Sequence, residues 1–241
     1  MDLTREFLEK IEEITNPCIN EVDGHTYSDK NLNLIAEPVA EPIEATTLTS
    51  LIDYLQDNRD ALDPGEIIVQ VRAHNSVWIR SNLNKDMERS LYISAWAHTP
   101  SLNLNDFMGR EAFNIMLQAN FVNDHDRAKV LSAIGKMRLD NSVKMEDDGV
   151  TQKVSSSAGV VLVKEETIPN PVLLAPYRTF AEIEQPASSF VLRVNNHGEV
   201  GLFEADGGAW KSKAMQSTKD YLDSHLNGGK TGEEKRYSII A

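Results

Sequence analysis

The chain has 241 residues and a formal net charge of −13; hydrophobic residues make up 41% and charged residues 25%. This composition is typical of a folded globular protein and excludes a largely disordered chain. The acidity disfavours general nucleic-acid binding, because phosphate backbones repel such a surface. No apolar run approaches the roughly 18 residues of a membrane span, so we expect no membrane association.

The N-terminal residues and the cysteine content favour a cytoplasmic location. The N-terminus is acidic and lacks the apolar region of a signal peptide. Cys18 is the single cysteine, which rules out an internal disulfide. The acidity confers solubility and also suits an encounter with a basic partner or mimicry of nucleic acid. Four basic residues are the candidates for a local basic patch: Arg72, Arg80, Lys85 and Arg89.

The first elements of the chain are a helix and a linker-like stretch. Residues 2–15 predict an amphipathic helix, because five apolar side chains recur on one face: Leu3, Phe7, Leu8, Ile11 and Ile14. This helix packs either on its own domain or on a neighbouring subunit. Residues 16–46 predict a linker or edge segment, with short strands possible at His25–Tyr27 and Leu32–Ile35. Two prolines keep residues 37–42 extended.

Residues 47–226 predict the core domain. Thr46 or Thr47 can cap a helix that runs to about Ala61. Alternating apolar residues then predict three strands: Ile67–Ala73, Val77–Arg80 and Leu91–Ala97. His74, Asn75 and Ser76 separate the first two strands and favour a hairpin.

Two helices follow, and the short connection between them predicts a helical hairpin. The first begins at a cap at Asn103 or Asn105 and runs through Asn120. Its core-facing residues are expected to be Phe107, Met108, Ile115 and Met116. The second begins at Asn123 or Asp124 and ends at Met137.

The rest of the chain is predicted to be rich in strands until a final helix. Strands are expected at Ser142–Glu146, Gln152–Ser156 and Val160–Val163, and later at Phe190–Val194 and Val200–Phe203. Asn195–Gly198 tolerate positive φ and favour a hairpin between the last two strands. Helical spacing then runs from Trp210 to Leu226. Residues 227–241 predict a mobile tail, or alternatively one whose end adds as a strand to a partner.

The order of these elements favours one fold class. Strands and helices are segregated rather than strictly alternating. The sequence therefore predicts an α+β protein of mainly antiparallel sheets, with a helical hairpin and N- and C-terminal helices, rather than a doubly wound nucleotide-binding fold.

Motifs of catalysis and metal binding are missing from the sequence. The six histidines form neither an H-x-H nor an H-E-x-x-H pattern. The run Ser155–Gly159 does not match the nucleophile motif G-x-S-x-G, and no recognisable motif surrounds Cys18. The glycines near Lys230 lack the spacing of a phosphate-binding loop. We therefore predict a non-enzymatic protein with no catalytic residue, metal ligand or cofactor.

The most distinctive polar cluster lies between Pro176 and Arg193. Arginine binds carboxylates and phosphates through two parallel hydrogen bonds. One interpretation is a site that recognises a ligand or partner through Arg178, Glu182, Gln185 and Arg193. The alternative is structural: the two arginines pair with Glu182, Glu184 or Glu204 across adjacent strands. Replacement of Arg178 by alanine distinguishes the two interpretations. A ligand site should lose binding but stay folded, whereas a structural ion pair should lose stability.

Trp78, Trp96 and Trp210 are expected to be buried. An exposed tryptophan would indicate an interface instead, because tryptophan is enriched in binding hot spots.

Part of the chain resembles a family of proteins carried by bacterial prophages, the uncharacterised YfdQ-like family. The resemblance covers roughly residues 46–226 and rests on three segments: Leu48–Leu55, Asn105–Met108, and Pro176–Phe180 leading into Phe190–Val194. It implies a phage or prophage origin and an accessory role. It implies no activity and no site residues.

The leading functional hypothesis is a phage accessory protein that self-associates and binds a host protein in the host cytoplasm, with inhibition of a defence system as one outcome. The first alternative is a structural protein of the virion or of its assembly. The second is a protein that binds a small molecule or nucleotide signal, or a hydrolase with scattered residues; this requires a pocket where Arg178, Arg193 and a histidine converge.

Overall fold

The computed structural model describes residues 4–22, 25–31, 40–85, 87–136, 143–147, 152–156, 166–167, 170–228 and 235–241. The chain divides into two compact units, Met1–Ala40 and Glu41–Ala241. The predicted α+β class is confirmed, and most of the strand pairs are antiparallel. Within the described residues, none of the helices combines the length and the apolar character needed to span a membrane.

The first unit contains a helix and a hairpin. Helix α1 (Arg5–Thr15) confirms the predicted amphipathic helix, and strands β1 (Ile19–Val22) and β2 (His25–Ser28) pair antiparallel. The apolar face of α1 is not buried: its large side chains are between 45% and 67% exposed, namely Phe7, Leu8, Ile11 and Ile14. The possible strand Leu32–Ile35 lies outside the described residues.

The second unit contains the remaining elements. In chain order these are β3 (Ile43–Ala45), α2 (Leu48–Asp57), β4 (Ile67–Ala73), β5 (Ser76–Ser81), β6 (Leu91–Trp96), β7 (Phe107–Met108), α3 (Arg110–Asn120), α4 (Arg127–Lys136), β8 (Val143–Asp147), β9 (Gln152–Ser156), β10 (Glu166–Thr167), β11 (Val172–Leu174), β12 (Ser188–Val194), β13 (Val200–Glu204), α5 (Ala209–Asn227) and β14 (Ser238–Ile240). The possible strand Val160–Val163 lies outside the described residues.

A five-stranded sheet is the larger of the two sheets that carry a described core. Its order is β14-β4-β5-β6-β3, and β4, β5 and β6 form the predicted antiparallel meander. The two edge strands pair in parallel, β14 with β4 and β3 with β6. Helices α2 and α5 pack on one face, which we call the inner face. The core there includes Leu51, Leu55, Val69, Ile79 and Leu222.

A four-stranded sheet organises the second core. Its order is β11-β12-β13-β7, all antiparallel, and the predicted hairpin of β12 and β13 is confirmed. Helices α3 and α4 pack against each other as the predicted helical hairpin. The core includes Phe113, Leu117, Val130, Phe190 and Leu202. A further sheet has the order β10-β9-β8.

The prediction for the start of the first hairpin helix was wrong. Asn105 adopts a φ of 63°, which interrupts a right-handed helix, and Phe107 and Met108 form strand β7 beside β13. Helix α3 begins only after Gly109. Its buried residues are Phe113, Met116 and Leu117, whereas Ile115, predicted to be in the core, is 57% exposed.

The end of the chain also differs from the prediction of a mobile tail. Residues 238–240 pair in parallel with β4, and Tyr237 is only 3% exposed. The side chain of Asn227 holds Tyr237 in place, because it accepts a hydrogen bond from its backbone N–H and donates one to its carbonyl oxygen. The final strand therefore adds to the sheet of its own chain.

Candidate functional site

The predicted site residues lie mainly in the segment that connects β11 to β12. Arg178, Thr179 and Gln185 are buried there, and Glu182 is half-buried. Among the described residues, the segment makes only an isolated bridge, between Pro176 and Phe121, so many of its backbone polar groups need side-chain partners. Those partners decide whether the segment forms a ligand site or a structural connection.

Both terminal nitrogens of the Arg178 guanidinium are engaged within the chain, whereas its buried Nε has no hydrogen-bond partner among the described residues. Arg178 is 5% exposed and forms an ion pair with Glu204, at 3.2 Å between Nη1 and Oε1. Nη2 donates to the carbonyl oxygen of Pro186 at 3.1 Å and to the hydroxyl of Ser188. The guanidinium carbon lies 3.7 Å from the ring centre of Trp210. These contacts occupy the two terminal nitrogens, and burial leaves Nε little access to an anionic ligand.

The charge of Arg178 is retained despite its burial. Burial lowers the pKa of Arg178 to about 10, and the nearby carboxylates of Glu204 and Asp206 oppose that shift. Arg178 is therefore still protonated at neutral pH, and its positive charge is compensated inside the chain.

Gln185 has a structural role beside Arg178. Its Oε1 accepts hydrogen bonds from the backbone N–H groups of Arg178 at 3.0 Å and Thr179 at 3.2 Å. Its Nε2 donates to the carbonyl oxygen of Phe180 at 2.9 Å. Nε2 also donates to the carbonyl oxygen of Ile183 at 3.4 Å, so one buried amide satisfies four backbone groups of the irregular segment and fixes its path.

Glu182 points to the first turn of α2. Its Oε1 accepts from the backbone N–H of Thr49 at 3.1 Å and from the Thr49 hydroxyl at 3.3 Å. A carboxylate at a helix N-terminus satisfies free N–H groups and interacts favourably with the helix dipole. Glu182 therefore joins the connecting segment to α2.

Arg193 is not brought together with the other three residues. Strand β12 alternates, with Ser188, Phe190, Leu192 and Val194 buried on one face. Arg178 contacts Ser188 on that face, whereas Arg193 occupies a position of the opposite face. Arg193 is also five positions along the strand from Ser188, a distance of about 16 Å. The four predicted residues therefore do not form one ligand site.

Two aromatic residues complete the cluster around Arg178, and the sequence did not reveal them as partners. The ring of His74, in the turn between β4 and β5, lies 4.7 Å from the ring of Trp210 in an edge-on arrangement. The backbone oxygen of His74 accepts a hydrogen bond from the Thr179 hydroxyl. Burial lowers the pKa of His74, and the positive charges of Lys211 and Arg178 lower it further.

These contacts define what we call the Arg178 node, made up of His74, Arg178, Gln185, Glu204 and Trp210. It connects the turn of the five-stranded sheet to strands β12 and β13 of the four-stranded sheet and to the start of α5. The node is a junction between the two cores of the second unit.

A different set of residues forms an open surface on the outer face of the five-stranded sheet. The guanidinium carbons of Arg72 and Arg80 lie 3.9 Å and 4.3 Å from the ring centre of Trp78. Arg72 also lies 6.0 Å from the ring of Trp96, which is 46% exposed. We call Arg72, Trp78, Arg80 and Trp96 the Arg–Trp surface.

The Arg–Trp surface lies opposite α2 and α5, which pack on the inner face. Among the described residues, the buried nitrogens of Trp78 (Nε1) and Arg80 (Nε) have no hydrogen-bond partner. Two of the four candidate basic-patch residues, Arg72 and Arg80, are thus brought together. Lys85 and Arg89 lie on the exposed connection from β5 to β6, and Arg89 donates to the carbonyl oxygen of Ser81 at 3.0 Å.

Comparison with known proteins gives no further assignment. Neither a family model, nor a curated protein, nor a solved structure matches this chain. Among the residues that the structure describes, no three histidine, cysteine or carboxylate side chains are grouped so that they could hold a metal ion.

Proposed function

We propose that this chain is a non-enzymatic binding protein that self-associates and binds a host protein through the Arg–Trp surface. The resemblance to prophage proteins supports a phage or prophage accessory role in the host cytoplasm, with inhibition of a defence system as the outcome of binding. The single observation that carries the proposal is the pair of arginines stacked on Trp78 beside an exposed Trp96.

The chemistry of the Arg–Trp surface favours a protein partner with acidic side chains. Tryptophan and arginine are the residue types most enriched in hot spots of protein interfaces. Stacking on Trp78 holds the planar guanidinium groups of Arg72 and Arg80 in place, so little side-chain entropy is lost when they bind a carboxylate. Trp96 supplies apolar area next to them.

Self-association is supported by α1. An isolated helix of 11 residues is marginal in water, because nucleation is unfavourable and few hydrogen bonds follow it. The exposed face of Phe7, Leu8, Ile11 and Ile14 would be stabilised by a second copy of the same helix. We therefore assign self-association to α1 and partner binding to the Arg–Trp surface.

Light scattering coupled to size-exclusion chromatography tests the self-association. We expect the unaltered chain to be an oligomer and Leu8→Glu with Ile11→Glu to be a monomer. Glu9→Gln with Glu13→Gln is the matched control on the polar face of α1 and should leave the oligomer intact. An equal oligomer in both double variants contradicts the assignment to α1.

Native mass spectrometry of tagged protein recovered from a bacterial lysate tests the partner binding. A stoichiometric host protein should be present with the unaltered chain and absent with the double variant that combines Arg72→Ala with Trp96→Ala. The control, Lys213→Ala with Tyr177→Ala, removes an exposed cation and an exposed aromatic residue elsewhere and should retain the partner. If the Arg72 and Trp96 double variant retains the partner as the control does, the role of the Arg–Trp surface is contradicted.

The two alternatives are separated by the same experiment. A bare oligomer that is also abundant in purified phage particles supports a structural protein of the virion. A bare oligomer with a small bound mass supports a protein that binds a small molecule. In the Arg178 node, the contacts that both terminal guanidinium nitrogens make within the chain weigh against such a ligand.

A further inference from the structure

A groove runs between the edge strand β3 and helix α2, on a different part of the second unit from the Arg–Trp surface. The groove is open to solvent and has a volume of about 1030 Å³, which is at the upper limit of the volumes typical of ligand pockets. Its walls include Ile43, Ala45 and Ile93 on the side of the sheet and Asp53 and Asp57 on the side of the helix. One wall is therefore a strand and the other a helix.

The strand wall has an open edge. β3 is the last strand of the sheet order, and among the described strands it pairs only with β6. No described strand pairs with the other side of β3, and an extended peptide can add there by main-chain hydrogen bonds. The side chain of Ile43, 49% exposed, offers an apolar contact at the same place.

The helix wall has a negative charge. Four carboxylates line the groove, and Arg59 is the one basic residue among its lining residues; the carboxylates are Glu44, Asp53, Asp57 and Asp60. Asp57 accepts a hydrogen bond from Nε of Arg59 at 2.6 Å, so the groove already binds a guanidinium of the chain itself. Asp60 accepts a hydrogen bond from the Tyr54 hydroxyl at 2.7 Å. Burial is the main cause that raises the pKa of Tyr54, and the hydrogen bond to Asp60 raises it further.

The spacing of the carboxylates on the helix wall is close to the spacing of side chains along one side of an extended peptide. Asp53 and Asp57 are one helical turn apart, which places their side chains roughly 5–6 Å from each other on one face. Alternate residues of an extended strand point to the same side and are about 6.8 Å apart. Lysine or arginine at every second position of an added strand would therefore face these two carboxylates in turn.

We propose that this groove binds an extended segment of a partner protein that carries lysine or arginine at alternate positions, as an added strand on β3. The net charge of −13 favours the approach of such a segment over long distances. This site is independent of the Arg–Trp surface, whose arginines select an acidic partner, so either proposal can fail without the other.

Fluorescence anisotropy at low ionic strength tests the proposal. The probe is a fluorescein-labelled heptapeptide of alternating threonine and lysine, with both ends blocked. Asp53→Asn with Asp57→Asn should weaken its binding by about fivefold or more, since each lost pair contributes modestly at a surface. The matched control, Glu111→Gln with Asp220→Asn, removes the same charge from exposed positions elsewhere and should weaken binding less than about twofold.

A second probe distinguishes strand addition from adsorption by charge. The same peptide with every backbone nitrogen methylated keeps its lysines but cannot donate main-chain hydrogen bonds, so its binding should be about tenfold weaker or lost. Hydrogen exchange of the Ile43–Ala45 amides should slow with the unmethylated peptide. The proposal is overturned by any of three results: equal binding of both peptides, equal loss of binding in both double variants, or no binding of the heptapeptide to the unaltered protein.

Discussion

Replacement of Arg178 by alanine tests whether the Arg178 node is a junction of the fold or a ligand site. The change removes the ion pair with Glu204, the hydrogen bonds to Pro186 and Ser188, and the contact with Trp210. If these contacts hold the two cores of the second unit together, the variant should be much less stable. A ligand site would tolerate the change.

The expected magnitude follows from burial. Removal of one partner of a buried ion pair typically costs about 3–5 kcal/mol. Glu204 is 34% exposed and can be hydrated after the loss, which places the pair at the lower end of that range. The lost contact with Trp210 adds about 1–2 kcal/mol, and release of the desolvated guanidinium offsets a similar amount. We therefore expect the free energy of unfolding to fall by about 3 kcal/mol.

Urea denaturation monitored by tryptophan fluorescence and circular dichroism measures this change. The matched control is Arg59→Ala, because the Arg59 side chain is 86% exposed and its pair with Asp57 is a surface pair worth about 0–1 kcal/mol. Arg178→Lys should lie between the two, since lysine keeps the charge but not the planar fork. A stability loss for Arg178→Ala no larger than that of Arg59→Ala would refute the structural role.

Three further predictions concern other contacts. The pKa of His74 is lowered in the folded chain, so the unfolded chain binds more protons below pH about 6.5 and stability should fall as the pH drops below that value. Urea titrations between pH 7 and 5 should show a smaller fall for His74→Gln. Gly201→Ala should cost about 1–3 kcal/mol of stability in thermal melts, because a Cβ would lie 2.9 Å from the backbone oxygen of Asp106. In the same thermal melts, Gly135→Ala should stabilise the chain by about 0.5–1 kcal/mol, since a Cβ there meets open space. Tyr237→Phe should cost about 1 kcal/mol, since the hydroxyl donates to Leu55, and Tyr237→Ala about 3–5 kcal/mol by urea denaturation, whereas a mobile tail predicts no change.

Local patterns explain which elements the sequence predicted well. The alternation of Ile67, Val69 and Val71 and the turn at Asn195–Gly198 are short-range signals, and both hairpins are confirmed. The error at α3 has a long-range cause, since β7 exists only through its pairing with β13, a strand nearly 100 residues later. The position of β14 depends in the same way on the distant strand β4.

The sites were harder to predict because their contacts are long-range. The sequence singled out Arg178 and Gln185, but His74 and Trp210 lie about 104 and 32 residues from Arg178 along the chain and have no shared motif. Arg193 was included because it is close in sequence, although strand alternation places it on the other face of β12. Arg72 and Arg80 were predicted as basic residues, while their stacking on Trp78 follows from the pairing of β4 with β5.

The two faces of the five-stranded sheet make different contributions, and this difference supports a binding role for the outer one. The inner face buries Val69, Ile79 and Leu55, which accounts for the stability of that core. On the outer face, the stack of the exposed Arg72 on the half-buried Trp78 contributes only about 0.5–1 kcal/mol. Arg72→Ala with Trp96→Ala should therefore change the free energy of unfolding by no more than about 1–2 kcal/mol in urea titrations. If that double variant stays folded and loses its partner, the loss reports on binding; if it unfolds, the Arg–Trp surface belongs to the fold.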